Sequence, residues 1–402
     1  MKKTIKLALV ASLALGATSA FATNGTSLIG YGAKSRAMGG TGVAQFQGAE
    51  SGFNNPALLA YSKGSEVSIG GTYFAPDVSI STGATLGNES YSSSASASMI
   101  PAVSMSDKVN DSFAWGLALY GVGGMGVDYR DATGNGPQTN DNLLLMRFAV
   151  PLTYTVAGFA IGLSPVIEYG ALSMNTDAQQ NDPRFSGGVT TDIAYGFEIG
   201  AAYKIAGVTL GLDYKSAVEH DFEGTFNSSI TDPTSIQSKL STPQIIAAGV
   251  SYEIAGNTIA FDFKNIGYSS ATGLEDFGWE DQNVFALGYE YAAESWAVRV
   301  GYNYGASPLP TDIDGTFADG GVSAMQVLGS AMSFPAVTES HYTLGGTYAF
   351  SERVSVDGAF VYGTGTVDYD IPANAFGPGS PEGTLSTTND QTSVTVAANF
   401  KF

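Results

Sequence analysis

The chain has 402 residues, with 37 acidic against 17 basic side chains and a formal net charge of −20. Nucleic acid is a poor partner for such a sequence because phosphate backbones are bound through basic patches. The absence of cysteine excludes a disulfide scaffold and any thiolate-ligated metal. Charged residues make up only 13%, beside 51 glycines, 21 tyrosines and 22 phenylalanines. A soluble globular domain carries about 25% charged residues, so this chain does not cover its surface the way a soluble domain does.

In chain order, the first element is a secretory signal. Lys2, Lys3 and Lys6 form a basic start, residues 7–15 an apolar core, and Ala20, Phe21 and Ala22 a small-x-small cleavage site. Residues 1–22 are therefore expected to be removed, leaving Thr23 as the first residue. The apolar run falls short of the ~20 residues of a membrane-spanning helix. Residues 23–64 follow, without alternation and with many apolar side chains. Such a segment would be a liability in free solution, and packing inside a barrel removes the exposure.

From Glu66 onward the pattern has period two, in segments of about ten residues, the length of a tilted transmembrane strand. Leu144, Met146, Phe148, Val150, Leu152, Tyr154 and Val156 read as one lipid-facing stripe, with Leu143, Leu145, Arg147 and Ala149 turned to the lumen. The same parity recurs at Ile259, Phe261 and Phe263, at Leu210, Leu212 and Tyr214, and at Trp296, Val298, Val300 and Tyr302. Counting such segments predicts an all-β transmembrane antiparallel barrel of about 14 strands over residues 65–402. The connections alternate in length. Short ones fall near 106–111, 157–158, 206–207, 255–257, 292–295 and 351–353; long ones span 77–96, 128–142, 173–190, 219–242, 267–283, 305–339 and 365–391. Short periplasmic turns and long external loops characterise outer-membrane barrels, so both termini are expected in the periplasm. Tyrosine and tryptophan cluster toward strand ends, at Tyr73, Tyr154, Tyr252, Trp296 and Tyr348 among others, as interfacial anchors do.

Parity places Arg147, Lys215, Lys264 and Arg299 in the lumen. Each is a candidate partner for the carboxylate of a ligand, or for lumenal Glu168, Asp192, Glu198, Asp213, Asp262 or Asp357. Arg147 stands out because its inward neighbours are apolar. Gly121, Gly123, Gly124 and Gly126 crowd one strand and mark a bulge or kink. Gly121, Gly123 and Gly126 also match a dinucleotide-binding spacing, but no βαβ unit surrounds them. Met325, Val327, Leu328, Met332 and Phe334 form an apolar stretch in a long loop, for capture of a hydrophobic substrate or for packing over the barrel mouth. His220 and His341 are far apart in sequence and suggest neither a metal site nor a catalytic triad, so no enzyme activity and no cofactor are expected.

The sequence at Gly32, Ala33, Lys34, Ser35, Arg36, Ala37, Met38, Gly39, Gly40, Thr41, Gly42, Val43 and Ala44, followed by Asn55, Pro56 and Ala57, resembles the FadL-type family of outer-membrane transporters, which includes TodX-like importers of aromatic hydrocarbons. Strands at 211–216, 285–291 and 299–308 resemble the family as well, and the likeness extends over nearly all of residues 23–402. The last strand puts Val394, Val396, Ala398, Phe400 and Phe402 on one face, which resembles the terminal signal read by the barrel assembly machinery. The resemblance implies a hatch over residues 23–64 that plugs the lumen, with Leu28, Ile29, Tyr31, Met38 and Phe46 lining the ligand pocket and Asn55, Pro56 and Ala57 at its end. It implies passive uptake of long-chain fatty acids or other hydrophobic compounds by a monomer surrounded by lipid and lipopolysaccharide, with lateral exit through the kink at Gly121 to Gly126. Aromatic or alkane hydrocarbons are the alternative cargo, a general diffusion porin a further alternative, and a lipase-like enzyme or an adhesive barrel more distant ones.

Overall fold

A barrel buried in lipid must close its hydrogen-bond ladder on itself, because hydrocarbon offers no partner to an open strand edge. The computed structural model, which describes residues 24–132, 139–175, 188–223, 238–311, 324–374, 379 and 381–402, meets that requirement with 14 antiparallel strands. The expected signal peptide, residues 1–22, lies outside the described residues. In chain order the strands are β1 (Glu66–Thr82), β2 (Ser98–Lys108), β3 (Phe113–Asp128), β4 (Asn140–Ala149 and Leu152–Val156), β5 (Phe159–Asn175), β6 (Thr190–Ile205) and β7 (Val208–Lys215), then β8 (Gln244–Ile254), β9 (Asn257–Gly267), β10 (Gln282–Ala292), β11 (Trp296–Gly305), β12 (Ser340–Ala349), β13 (Val354–Thr364 and Thr366–Ile371) and β14 (Gly383–Lys401). Each pairs with its sequence neighbour, and β1 closes the ring on β14 from Glu66 opposite Lys401 to Thr82 opposite Leu385.

Alternation decides which side chains meet lipid. On β14, Val394, Val396 and Phe400 are exposed on the outer face while Thr395, Ala397 and Asn399 are buried inside. Toward its other end the outward residues become Ser386, Thr388 and Asp390, so this 19-residue strand leaves the hydrocarbon layer at the end carrying the long loops. The short connections are tight. At Ala157-Gly158, Ala206-Gly207 and Ala255-Gly256 both residues have φ between 49° and 83°, the left-handed pair of a two-residue type I′ turn whose twist matches the strands it joins.

The N-terminal segment occupies the lumen. Nearly every residue from Asn24 to Ala60 is buried, in short helices at Ala33–Ala37 and Ser51–Asn54 and a 3₁₀ turn at Pro56–Tyr61. Inward-facing glycines make the space. A Cβ on Gly345 would collide with Ala37, on Gly301 with Gly39, on Gly288 with Met38, on Gly211 with the Val43 carbonyl, and on Gly162 with the Ala57 amide. Part of the high glycine content is thus a track along which the hatch backbone lies against the wall.

Three expectations need correction. The long connections expected at 77–96 and 365–391 are partly strand, since β1 runs to Thr82 opposite Leu385 of β14 and Thr366–Ile371 of β13 pairs with the start of β14. The outward stripe of β4 is not continuous: Met146 is only 4% exposed, because it sits opposite Gly121 where the β3–β4 register shifts. The segment 219–242 is not simply an external loop. Val218–Asp221 pairs with Lys239–Thr242 as a ribbon, and His220, Phe222 and Leu240 are buried; on the lumenal side of the wall Gly170 leaves room for His220 and Phe222, and Gly196 for Val218. The apolar loop stretch forms part of a helix, Ala324–Ser333, with Val327, Leu328 and Phe334 buried in the core at the barrel mouth and Met332 partly buried against it; the side chain of Met325 lies outside the described residues.

Gly211→Ala should push the hatch off the wall and cost about 1–3 kcal/mol through overpacking, whereas Gly358→Ala, with nothing near its Cβ position, should cost little. Urea unfolding in detergent, read by heat-modifiable migration, tests this; equal stabilities would contradict the glycine track.

Candidate functional site

The break in the wall lies in β3. Its register against β4 shifts between Gly121 and Gly123, leaving Val122 without a partner on that strand, and every residue from Tyr120 to Val127 is buried. On its other edge β3 pairs with β2 only as far as Tyr120 opposite Ala102, and ladder positions left open beyond that point are taken by the hatch. The amide of Leu28 donates to the Val122 carbonyl at 3.4 Å, the amide of Gly124 donates to the Thr26 carbonyl at 3.2 Å, and Ser27 forms a strand-like bridge with Gly123. Gly123 is required for this approach, since a Cβ there would overlap the Thr26 carbonyl. Tyr268 fixes the same strip from the opposite side: its hydroxyl donates to the Asn24 carbonyl at 2.7 Å and accepts from the Thr26 amide at 2.8 Å.

Farther along, the hatch is held through its backbone. Lys264 Nζ donates to the carbonyls of Ile29 and Gly40 at 2.9 and 2.8 Å. The Asp262 carboxylate accepts from the amides of Gly42 and Val43 at 2.7 and 2.9 Å. Asn55 Nδ2 donates to the Val43 carbonyl at 2.8 Å and reaches the Leu212 carbonyl at 3.2 Å, while Thr153 Oγ1 donates to the Pro56 carbonyl at 2.6 Å. Ala57 is buried beside them, and its amide donates to Asn55 Oδ1 at 3.0 Å. Leu28, Ile29, Tyr31 and Met38 are buried in the lumen, and Phe46 is partly buried. Tyr31 and Phe53 meet edge to face at 4.6 Å, and Phe53 and Tyr120 lie 4.8 Å apart, so an aromatic cluster that the sequence did not announce abuts the bulged strand.

Arg147 and Lys215 meet in one buried network. Arg147 contacts Glu168 at 2.6 Å and Glu198 at 3.2 Å; Lys215 contacts Glu198 at 3.0 Å and Asp213 at 3.3 Å and also donates to the Phe53 carbonyl at 2.8 Å. His220 Nε2 lies 3.1 Å from Glu168 and its Nδ1 3.4 Å from Asp192. His220 was missed as part of this cluster, although the alternation Val218, His220, Phe222 is a strand signal inside the presumed loop. Arg299 stands apart at the short-turn end, with Glu290 at 2.5 Å and Thr347 at 2.8 Å. All four basic candidates are thus lumenal and each is already engaged, Lys264 by hatch carbonyls. Between hatch and wall, a cavity bordered by Tyr31, Val122, Arg147 and Lys215 measures about 10 Å³, and one bordered by Leu28, Tyr31, Lys215 and Lys264 about 30 Å³. Each has room for a water or two, far less than a hydrocarbon ligand needs.

Removing one member of a buried ion network strands its partners, so Arg147→Met should destabilise the barrel by about 3–5 kcal/mol. Urea unfolding in detergent checks this, and wild-type stability would mean that Glu168 and Glu198 are not held as charged partners.

Comparison with known proteins agrees with this architecture. Residues 7–402 match the family described as outer membrane protein transport protein (OMPP1/FadL/TodX). The chain is 25% identical to the long-chain fatty acid transport protein of Escherichia coli O6:H1 over 88% of its length and 89% of that protein. It is 48% identical over 82 residues to an uncharacterized protein of Chlorobium limicola from the phosphoenolpyruvate carboxykinase gene 5′ region, a match spanning 20% of this chain and 40% of that one. Among solved structures, a Pseudomonas aeruginosa FadL homologue superimposes with a TM-score of 0.69 at 15% identity, covering 94% of this chain and 100% of that one. The Pseudomonas putida toluene transporter TodX gives 0.67 at 18%, covering 93% and 99%. The chain belongs to the FadL/TodX family of bacterial outer-membrane proteins, channels without enzymatic activity that transport hydrophobic compounds.

Proposed function

We propose that this protein takes up long-chain fatty acids or related hydrophobic compounds passively: the external loops capture the cargo, the hatch rearranges to open a lumenal pocket, and the cargo leaves sideways into the bilayer at the β3 bulge. The observation that carries the reading is the coincidence of plug and break, since Thr26, Ser27 and Leu28 of the hatch complete the ladder where Gly121 to Gly126 interrupt it. One movement of that strip would empty space in the lumen and open the wall together. Beside β3 the cavities between hatch and wall are only about 10 and 30 Å³, which supports a mechanism in which the hatch must shift before cargo passes there, whereas the recess of about 600 Å³ bordered by Phe46 and Arg299 lies at the short-turn end. A hatch this tightly held also speaks against a water-filled diffusion porin.

Uptake of aromatic or alkane hydrocarbons is the second reading. It is favoured by the engagement of Arg147, Lys215, Lys264 and Arg299 with protein partners, because a neutral cargo needs no cation. The relatives divide the same way, one named for long-chain fatty acid and one for toluene.

The chain has no cysteine, so Leu28→Cys with Val122→Cys, the pair joined by amide and carbonyl next to the bridge, can introduce a single cross-link between hatch and β3 without adding a Cβ at Gly123. Uptake of labelled oleate and toluene by cells carrying this variant alone should fall to background when oxidised and recover on reduction. Full uptake by the oxidised protein would rule out a moving hatch strip at β3.

A further inference from the structure

Arg36 differs from every lumenal base discussed above. It is 2% exposed, yet among the described residues it has no carboxylate within ion-pair distance. Among the described residues its guanidinium makes one hydrogen bond, from Nη2 to Ser393 Oγ at 2.8 Å, and its Nε and Nη1 have no partner. His341, fully buried on β12, likewise has no partner at either ring nitrogen; it stands opposite Gly363 on β13, which stands opposite Gln391, two residues along β14 from the Ser393 that Arg36 holds. The wall beside them is neutral: Ser393, Gln391 and Asn389 line the inner face of β14, with Thr338 hydrogen-bonded to both amide residues. A buried guanidinium without a counter-charge is costly unless an anion joins it.

Apolar surface begins next to this charge. Ser393 is directly opposite Phe74 on β1, and Phe74, Ile100 and Tyr120 continue one buried cluster across β1, β2 and β3 to the bulge. From β14 to β3 there are three strand spacings, about 14 Å, the reach of an acyl segment. We propose that Arg36, with His341 beside it, is a buried site for the carboxylate head of an amphipathic cargo whose tail lies along Phe74, Ile100 and Tyr120 toward the β3 bulge. This deepens the uptake function and rests on that reading. It moves the head-group contact from the wall residues to the hatch, so that the group which moves is the group that senses the cargo.

The test is calorimetric titration of the full-length protein in non-ionic detergent with oleate, methyl oleate and toluene, using wild type, Arg36→Gln and His341→Gln. Wild type should bind oleate about tenfold or more tightly than the ester; Arg36→Gln should lose that preference while keeping its affinity for the ester, and His341→Gln should reduce it. If Arg36→Gln does not fold, the wild-type comparison and His341→Gln still decide. Equal binding of oleate and ester by wild type, or an undiminished preference in Arg36→Gln, overturns the anchor while leaving hydrophobic uptake in place. Failure of all three ligands to bind overturns both.

Discussion

Backbone hydrogen bonding in hydrocarbon is the constraint on which the rest of this structure depends. Every strand must find two neighbours, and the closure of β1 on β14 over 17 residue pairs provides the last of them. The inner part of β3 departs from the rule. At Val122 the wall alone does not complete its ladder, and the carbonyl of Thr26 and the amide of Leu28 supply what is missing. The hatch is therefore a structural part of the wall at that point as well as a plug, and any movement of it has a consequence for the wall.

The rest of the lumen keeps the hatch in a defined place without burying it in apolar contacts alone. Lys264, Asp262 and Thr153 of the wall address its backbone rather than its side chains, and Asn55 of the hatch reaches the Leu212 carbonyl of the wall. Inward glycines bring the two backbones together. These directional polar contacts are of modest individual strength, and the ion network of Arg147, Glu168, Glu198, Lys215 and Asp213 supplies a firm floor on the β4 to β7 side.

Much of this was legible in the sequence because period-two alternation is a strong signal when one face meets lipid. The strand number, the short connections at Ala157, Ala206 and Ala255, and the inward orientation of Arg147, Lys215, Lys264 and Arg299 all follow from it. The stripe reading failed at Met146, where a bulge in the neighbouring strand changes what a side chain meets. It also missed the ribbon carrying His220, whose strands are only four residues each and lie within a long loop. Arg36 was visible as part of the Gly32 to Ala44 motif, but no pattern in a single chain shows that a base lacks a partner. That property belongs to the three-dimensional arrangement.

The most direct test of the account is amide hydrogen exchange at Leu28 and Gly124, the two donors that join the hatch to the bulged strand, followed with and without saturating cargo. The account predicts slow exchange at both positions in the free protein and faster exchange at both when cargo binds, because the strip must leave the wall. Unchanged protection at both amides under conditions where cargo is bound and transported would contradict it.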